Sequence, residues 1–166
     1  MPILNPEHLF EQADKLLSSR QVDLRRAISS AYYGLFHFCL TAAADEFVGV
    51  TQRATARYGL VYRSVDHRTL KDTCDETMKR APSAKYAPYV PAGGFGPPIQ
   101  DFSSVIVDLQ HKRHRADYNP LLRFSNSDAR LAVSMARGAI DRFKLANEDH
   151  RKVFLTLLVC PPRADR

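Results

Sequence analysis

Along most of this chain apolar residues recur at intervals of three and four, the spacing that gathers them on one face of a helix. The first such run is predicted from about Pro6 to Leu17, where Leu9, Phe10, Ala13, Leu16 and Leu17 keep that rhythm. After the break "SSRQVD", Asp23 is placed to cap a long second helix that ends near Gly49. Its stripe is Leu24, Ala27, Ile28, Ala31, Leu35, Cys39 and Ala42. Residues 50–65 show no convincing period and read as an irregular connection with room for a short turn. Asp66 would cap a third helix, "DHRTLKDTCDETMKR". Its apolar side, Leu70, Cys74, Met78 and the methyls of Thr73 and Thr77, is thin, which makes the helix peripheral and leaves Cys74 half-exposed.

Residues 81–98 hold five prolines and three glycines in eighteen positions, so they read as an irregular surface loop. The GGFG within it is too short for a dinucleotide-binding fingerprint. A fourth helix begins between Ile99 and Asp101, with Phe102, Val105, Ile106, Leu109, Arg113 and Ala116 at helical positions. It stops around Tyr118, because the residue before Pro120 is pushed out of the helical region. Ser125 or Ser127 caps a fifth, Asp128 to Asn147, with Leu131, Ala132, Met135, Ala139, Ile140 and Phe143 on one side. A last short helix, "EDHRKVFLTLLV", is closed by Pro161 and Pro162. The sum is an all-α bundle of four main helices and one or two lesser ones. Residues 1–160 form one domain, and 161–166 a disordered tail.

Residues 27–44, "AISSAYYGLFHFCLTAAA", carry no Asp, Glu, Lys or Arg over nearly the length of a membrane span. Their Ser29, Ser30, Tyr32, Tyr33, His37 and Thr41 need polar partners, which a bundle supplies and hydrocarbon does not. The segment is read as the buried core helix of a protein that does not enter a membrane. The start lacks the basic-then-apolar order of a secretory signal, and Cys39, Cys74 and Cys160 suggest neither a disulfide framework nor a zinc ribbon. A reducing cytoplasm is the expected location.

Lys and Arg number 24 against 18 Asp and Glu, a formal charge of +6 that favours an anionic partner. The cations crowd into "LQHKRHRADYNP", residues 109–120. At about 100° per residue, with Leu109 facing the core, Arg113 lies about 40° from that direction, whereas His114 and Arg115 lie about 140° and 120° round. Arg113 therefore points inward, where a guanidinium needs a carboxylate, carbonyls or an anionic ligand. Two readings follow. Arg113 pairs with Asp117 at the helix end while His111, Lys112 and Arg115 form a solvated face, or Arg113 holds a phosphate with His114 beside it to exchange a proton.

"DLRRAISSAYYGLFHFCL", the later "LQHKRHRADYNP" and then "DARLAVSMARGAIDRF" together resemble the HEPN superfamily, the higher-eukaryote and prokaryote nucleotide-binding domains. The resemblance covers most of residues 6–146 in order. It implies an up-and-down helical bundle, commonly a homodimer, whose catalytic members are metal-independent endoribonucleases of toxin–antitoxin and defence systems. Arg113 matches the motif arginine and His114 the polar position after it. Where the motif histidine is expected, this chain has Tyr118 and Asn119. The Ala-Asp-Tyr ending resembles a branch encoded beside minimal nucleotidyltransferases, which implies such a protein partner.

The candidate catalytic residues are Arg113 and His114, and the candidate phosphate-binding set adds Lys112, Arg115, Asp117, Tyr118, Tyr33 and His37. Tyr33 and His37 share a helix face and either bond across the bundle or line the groove facing Arg113. Arg53, Arg57, Arg63 and Arg68 could extend a phosphate-tracking surface. His111, His114 and Asp117 recur every three residues but drift apart around the helix, so no metal and no cofactor are expected. The functions left open are RNA or nucleotide binding with or without cleavage, an inert module docking a nucleotidyltransferase-like partner, and a structural homodimer.

Overall fold

The computed structural model describes residues 4–163. Seven α-helices follow in order among the described residues: α1 Pro6–Lys15, α2 Gln21–Phe47, α3 Ala56–Tyr62, α4 His67–Met78, α5 Gly96–Tyr118, α6 Asn126–Leu145 and α7 Glu148–Val159. The described residues contain no strand. The all-α expectation holds, but the count differs from four main helices and one or two lesser ones. Three long helices of 27, 23 and 20 residues (α2, α5 and α6) carry four shorter ones.

α2 is the centre, packed by α1, α3, α5, α6 and α7. Its start meets the end of α5, where Arg25 bonds the Ala116 carbonyl, so the two run antiparallel. α6 starts at the same end, since Gln21 exchanges hydrogen bonds with the backbone of Phe124. The interior of α2 buries Leu24, Ala27, Ile28, Ala31, Tyr32, Leu35 and Cys39. Gly34 lies in that run because a methyl group there would overlap the Phe10 ring, so α1 can seat on α2 only over a glycine.

Several local expectations are corrected. Asp23 is not the cap of α2. Arg20 occupies that position without a capping side chain, and Asp23 sits in the first turn, accepting from Ser18 and Arg20. Residues 50–65 hold the expected short turn, a 3-10 turn at Val50–Gln52, but also a helix that the pattern did not show: Thr55 caps α3, which buries Tyr58. α4 is not peripheral, because Leu70, Thr73, Cys74 and Thr77 are all buried and the helix packs on α5. Threonine methyls and a thiol make up that face, with the Thr77 hydroxyl donating to Ser103 Oγ at 2.7 Å inside the core. Cys74 is therefore fully buried, and burial pushes its thiol pKa up.

The loop over 81–98 holds a 3-10 turn, Ala87–Tyr89, and anchors itself with buried Tyr86 and Phe95. Gly93, Gly94 and Gly96 take positive φ there. α5 starts three residues before the predicted earliest point because Pro97 and Pro98 fit a first turn, where no amide hydrogen is needed. Ser125 caps α6 through a reciprocal box with Asp128. Ala132, Ala139, Ile140 and Phe143 of the expected α6 stripe are buried, joined by Ala129, Val133 and Ala136, whereas Leu131 is exposed rather than core-facing. α7 is a full 12-residue helix burying Phe154, Leu155, Leu157 and Leu158. Of the predicted tail, Pro162 is buried and residues 164–166 lie outside the described residues. No described helix is long and apolar enough to cross a membrane.

Candidate functional site

The geometry of α5 turns Arg113 inward against the middle of α2. Its guanidinium carbon lies 5.4 Å from the ring centre of Tyr32 and 5.6 Å from that of Tyr33, so both rings wall the cation. The Arg113 side chain is only 13% exposed. Asp117, one turn on, approaches Nη1 no closer than 3.5 Å, and Nε is buried without a partner. The other oxygen of Asp117 accepts from Ser29 Oγ at 2.5 Å.

A histidine that sequence reasoning passed over completes the cup. Asp66 caps α4 by accepting from the Thr69 amide at 2.7 Å, which fixes His67 in the first turn. Gln110 on α5 donates to the His67 carbonyl at 3.2 Å. The His67 ring stacks on Phe36 with centres 4.0 Å apart, and its Nδ1 lies 2.7 Å from the Tyr32 hydroxyl. It lies 5.8 Å from Tyr33, so His67 and Arg113 share both tyrosines. Burial, then the charge of Arg113, holds the His67 pKa below its usual value. Burial also pushes the Tyr32 phenol up, keeping it protonated. A signal for His67 was present in the capped "DHRT", but its meaning depends on α4 docking beside α2 and α5.

The other candidates divide. Tyr33 belongs to the cup. His37 faces α3 instead, with Nδ1 2.6 Å from the Tyr62 hydroxyl, and burial lowers its pKa. His114 and Arg115 are exposed, and the His114 ring packs on Tyr118, 4.9 Å between centres, rather than on the Arg113 aromatics. Lys112 is paired with Asp108 at 2.7 Å. The arginine surface is partly committed: Arg53 pairs with Asp45, Arg63 donates to the Gly59 carbonyl, and Arg68 sits 3.7 Å from Asp72. No group of three His, Cys, Asp or Glu among the described residues is placed to hold a metal ion.

Arg25, also unremarked in the sequence, organises the end of α5. Its guanidinium donates to the carbonyls of Ala116, Asn119 and Leu122 and lies 5.5 Å over the Phe124 ring. It thus meets the unpaired carbonyls and negative end of the helix. Beside it, Gln21, Asp117, Tyr118, Leu121 and Arg123 line an open cavity of about 850 Å³. The cup offers an aromatic-walled cation beside a histidine whose neutral form is favoured, chemistry suited to a phosphate ligand, and the cavity at the end of α5 is lined by neither of the two. No family model, curated protein or solved structure matches the chain.

Proposed function

We propose that this chain is a HEPN-like helical protein that binds the phosphate of RNA or of a nucleotide through Arg113. The observation that carries the reading is the state of that guanidinium: largely buried, walled by Tyr32 and Tyr33, and without a partner at Nε. A buried charge normally has its donors taken. A phosphate arriving at the cup would accept from the terminal nitrogens, Nη1 and Nη2, in the paired geometry that arginine presents, Nε itself being buried.

Binding rather than cleavage is the activity this site supports. His114 packs on Tyr118, and Tyr118 and Asn119 stand where the resemblance expects the motif histidine. The test is fluorescence anisotropy with labelled single-stranded RNA, in the presence of chelator, for the wild type, Arg113→Ala and the exposed control Arg115→Ala. Loss of binding in Arg113→Ala well beyond that in Arg115→Ala is expected. Equal affinity in all three would remove Arg113 from the site. The same reactions read on a gel report any cleavage.

A second reading is favoured by exposed apolar side chains at the end of α5. Leu121 is 90% exposed and Tyr118 66%, and both line the cavity beside Arg25. Such a patch suits a protein partner, either a second copy of the chain or a nucleotidyltransferase-like protein. Sedimentation of the wild type and Leu121→Asp tests the homodimer: a dimer that dissociates in the variant supports it, and a monomeric wild type excludes it.

A further inference from the structure

We propose that His67 is the second ligand-contacting group of the Arg113 site, so that the site selects a terminal phosphomonoester over an internal phosphodiester. The monoester could be carried by a mononucleotide or by the end of an RNA strand. This rests on the reading of Arg113 as a phosphate-binding residue.

A phosphomonoester carries about −1.5 to −2 at neutral pH, whereas a diester carries one negative charge. Arg113 alone supplies one positive charge, and Asp117 stands 3.5 Å from it. A second cation is needed, and the histidine sharing Tyr32 and Tyr33 with Arg113 is His67. Its Nδ1 is engaged by Tyr32, and none of the described residues bonds Nε2. Protonated, the ring donates from Nδ1 to the Tyr32 oxygen and from Nε2 to the anion.

The groups around His67 set the direction of proton linkage. α2 presents Tyr32, Tyr33 and His37, α3 presents Tyr62 against His37, α4 carries Asp66, and α5 carries Arg113 and Asp117. In the free protein burial and the charge of Arg113 both favour neutral His67, and Asp66 opposes them. An anion on Arg113 cancels part of that field, so His67 gains a proton as the ligand binds. Affinity for a monoester therefore rises as pH falls toward about 6, below which the phosphate loses its own second charge.

Calorimetric titration at about pH 6.5, in two buffers of different ionisation enthalpy, measures the linked proton directly. The probes are adenosine 5′-monophosphate and the dinucleoside adenylyl-adenosine, which has only a diester. The monophosphate should bind about tenfold tighter or more, with uptake of a fraction of a proton. His67→Gln should erase both the preference and the uptake, and His114→Ala should keep them. Equal affinities for the two probes, or uptake that survives His67→Gln, overturns the proposal. Arg113→Ala separates the two claims: if it abolishes binding while the wild type takes both probes equally, only the His67 assignment fails. If it leaves both affinities intact, the Arg113 reading fails and this one with it. On the unaltered protein, the His67 ring resonance should titrate at higher pH with the monophosphate present, and an unmoved titration counts against the proposal independently of any variant's folding.

Discussion

Arg113 and Asp117 lie one turn apart on α5 with 3.5 Å between Nη1 and Oδ2, near enough to attract and too far for a good hydrogen bond. Ser29 holds the other Asp117 oxygen, so the carboxylate is shared between α2 and the arginine. The pair keeps the guanidinium in place and competes with any anion that approaches it.

Asp117→Asn should therefore raise affinity for a phosphate ligand. The amide oxygen can still accept from Ser29, while the competing charge is gone. A partly exposed pair is worth about 0.2–1 kcal/mol, which corresponds to a gain of roughly 1.4- to 5-fold. Titration with adenosine 5′-monophosphate measures it, and a weakened affinity would show that Asp117 contacts the ligand favourably.

Arg25 should prove structurally costly to lose. Arg25→Ala removes charged donors from four carbonyls at and just beyond the end of α5 and should destabilise the fold by about 2–3 kcal/mol. Chemical denaturation gives the size of the loss, and hydrogen exchange should accelerate first over residues 116–124. The exposed neighbour Arg26→Ala should fall within about 0.5 kcal/mol of wild type.

Gly34→Ala sets helix propensity against packing. Alanine is favoured in a helix interior by about 1 kcal/mol, but a methyl here meets the Phe10 ring, and overpacking costs about 1–3 kcal/mol. A net loss is expected in denaturation, with part recovered when Phe10→Leu is added. A stabilised Gly34→Ala would mean that α1 shifts freely on α2.

Stability should fall between pH 7 and pH 5. His37 and His67 both have folded-state pKa values depressed below 6.5, chiefly by burial. The unfolded chain then binds more protons in that window, so their contribution is present above the unfolded value and lost as pH falls toward the folded ones. Thermal melts across pH 5 to 7 should show a decreasing Tm, with a shallower slope in His67→Gln. An equal slope in that variant would assign the effect to other groups.

The sequence made some of this legible and hid the rest for physical reasons. α2, α5 and α6 are long enough for their apolar period to stand out, and the cap of α4 at Asp66 could be read directly. The inward turn of Arg113 followed from its angle to Leu109. α3 was missed because it has seven residues and one buried side chain, Tyr58. The burial of α4 was missed because Thr73, Cys74 and Thr77 carry little hydrophobic signal, and the bond that pairs the Thr77 and Ser103 hydroxyls in the core spans two helices. His67 could not be placed beside Arg113 from local pattern, since the link passes through Tyr32 on a third element. His114 drew attention by adjacency, although neighbours on a helix diverge by about 100°.

The most direct test of Arg113 as the phosphate-binding residue is a crystal structure of the protein with adenosine 5′-monophosphate. The phosphate is expected within hydrogen-bond distance of the Arg113 guanidinium, between Tyr33 and His67, with Asp117 drawn aside. A phosphate held instead by exposed cations such as Arg115 or Arg123, with the Arg113 cup unchanged, would contradict it.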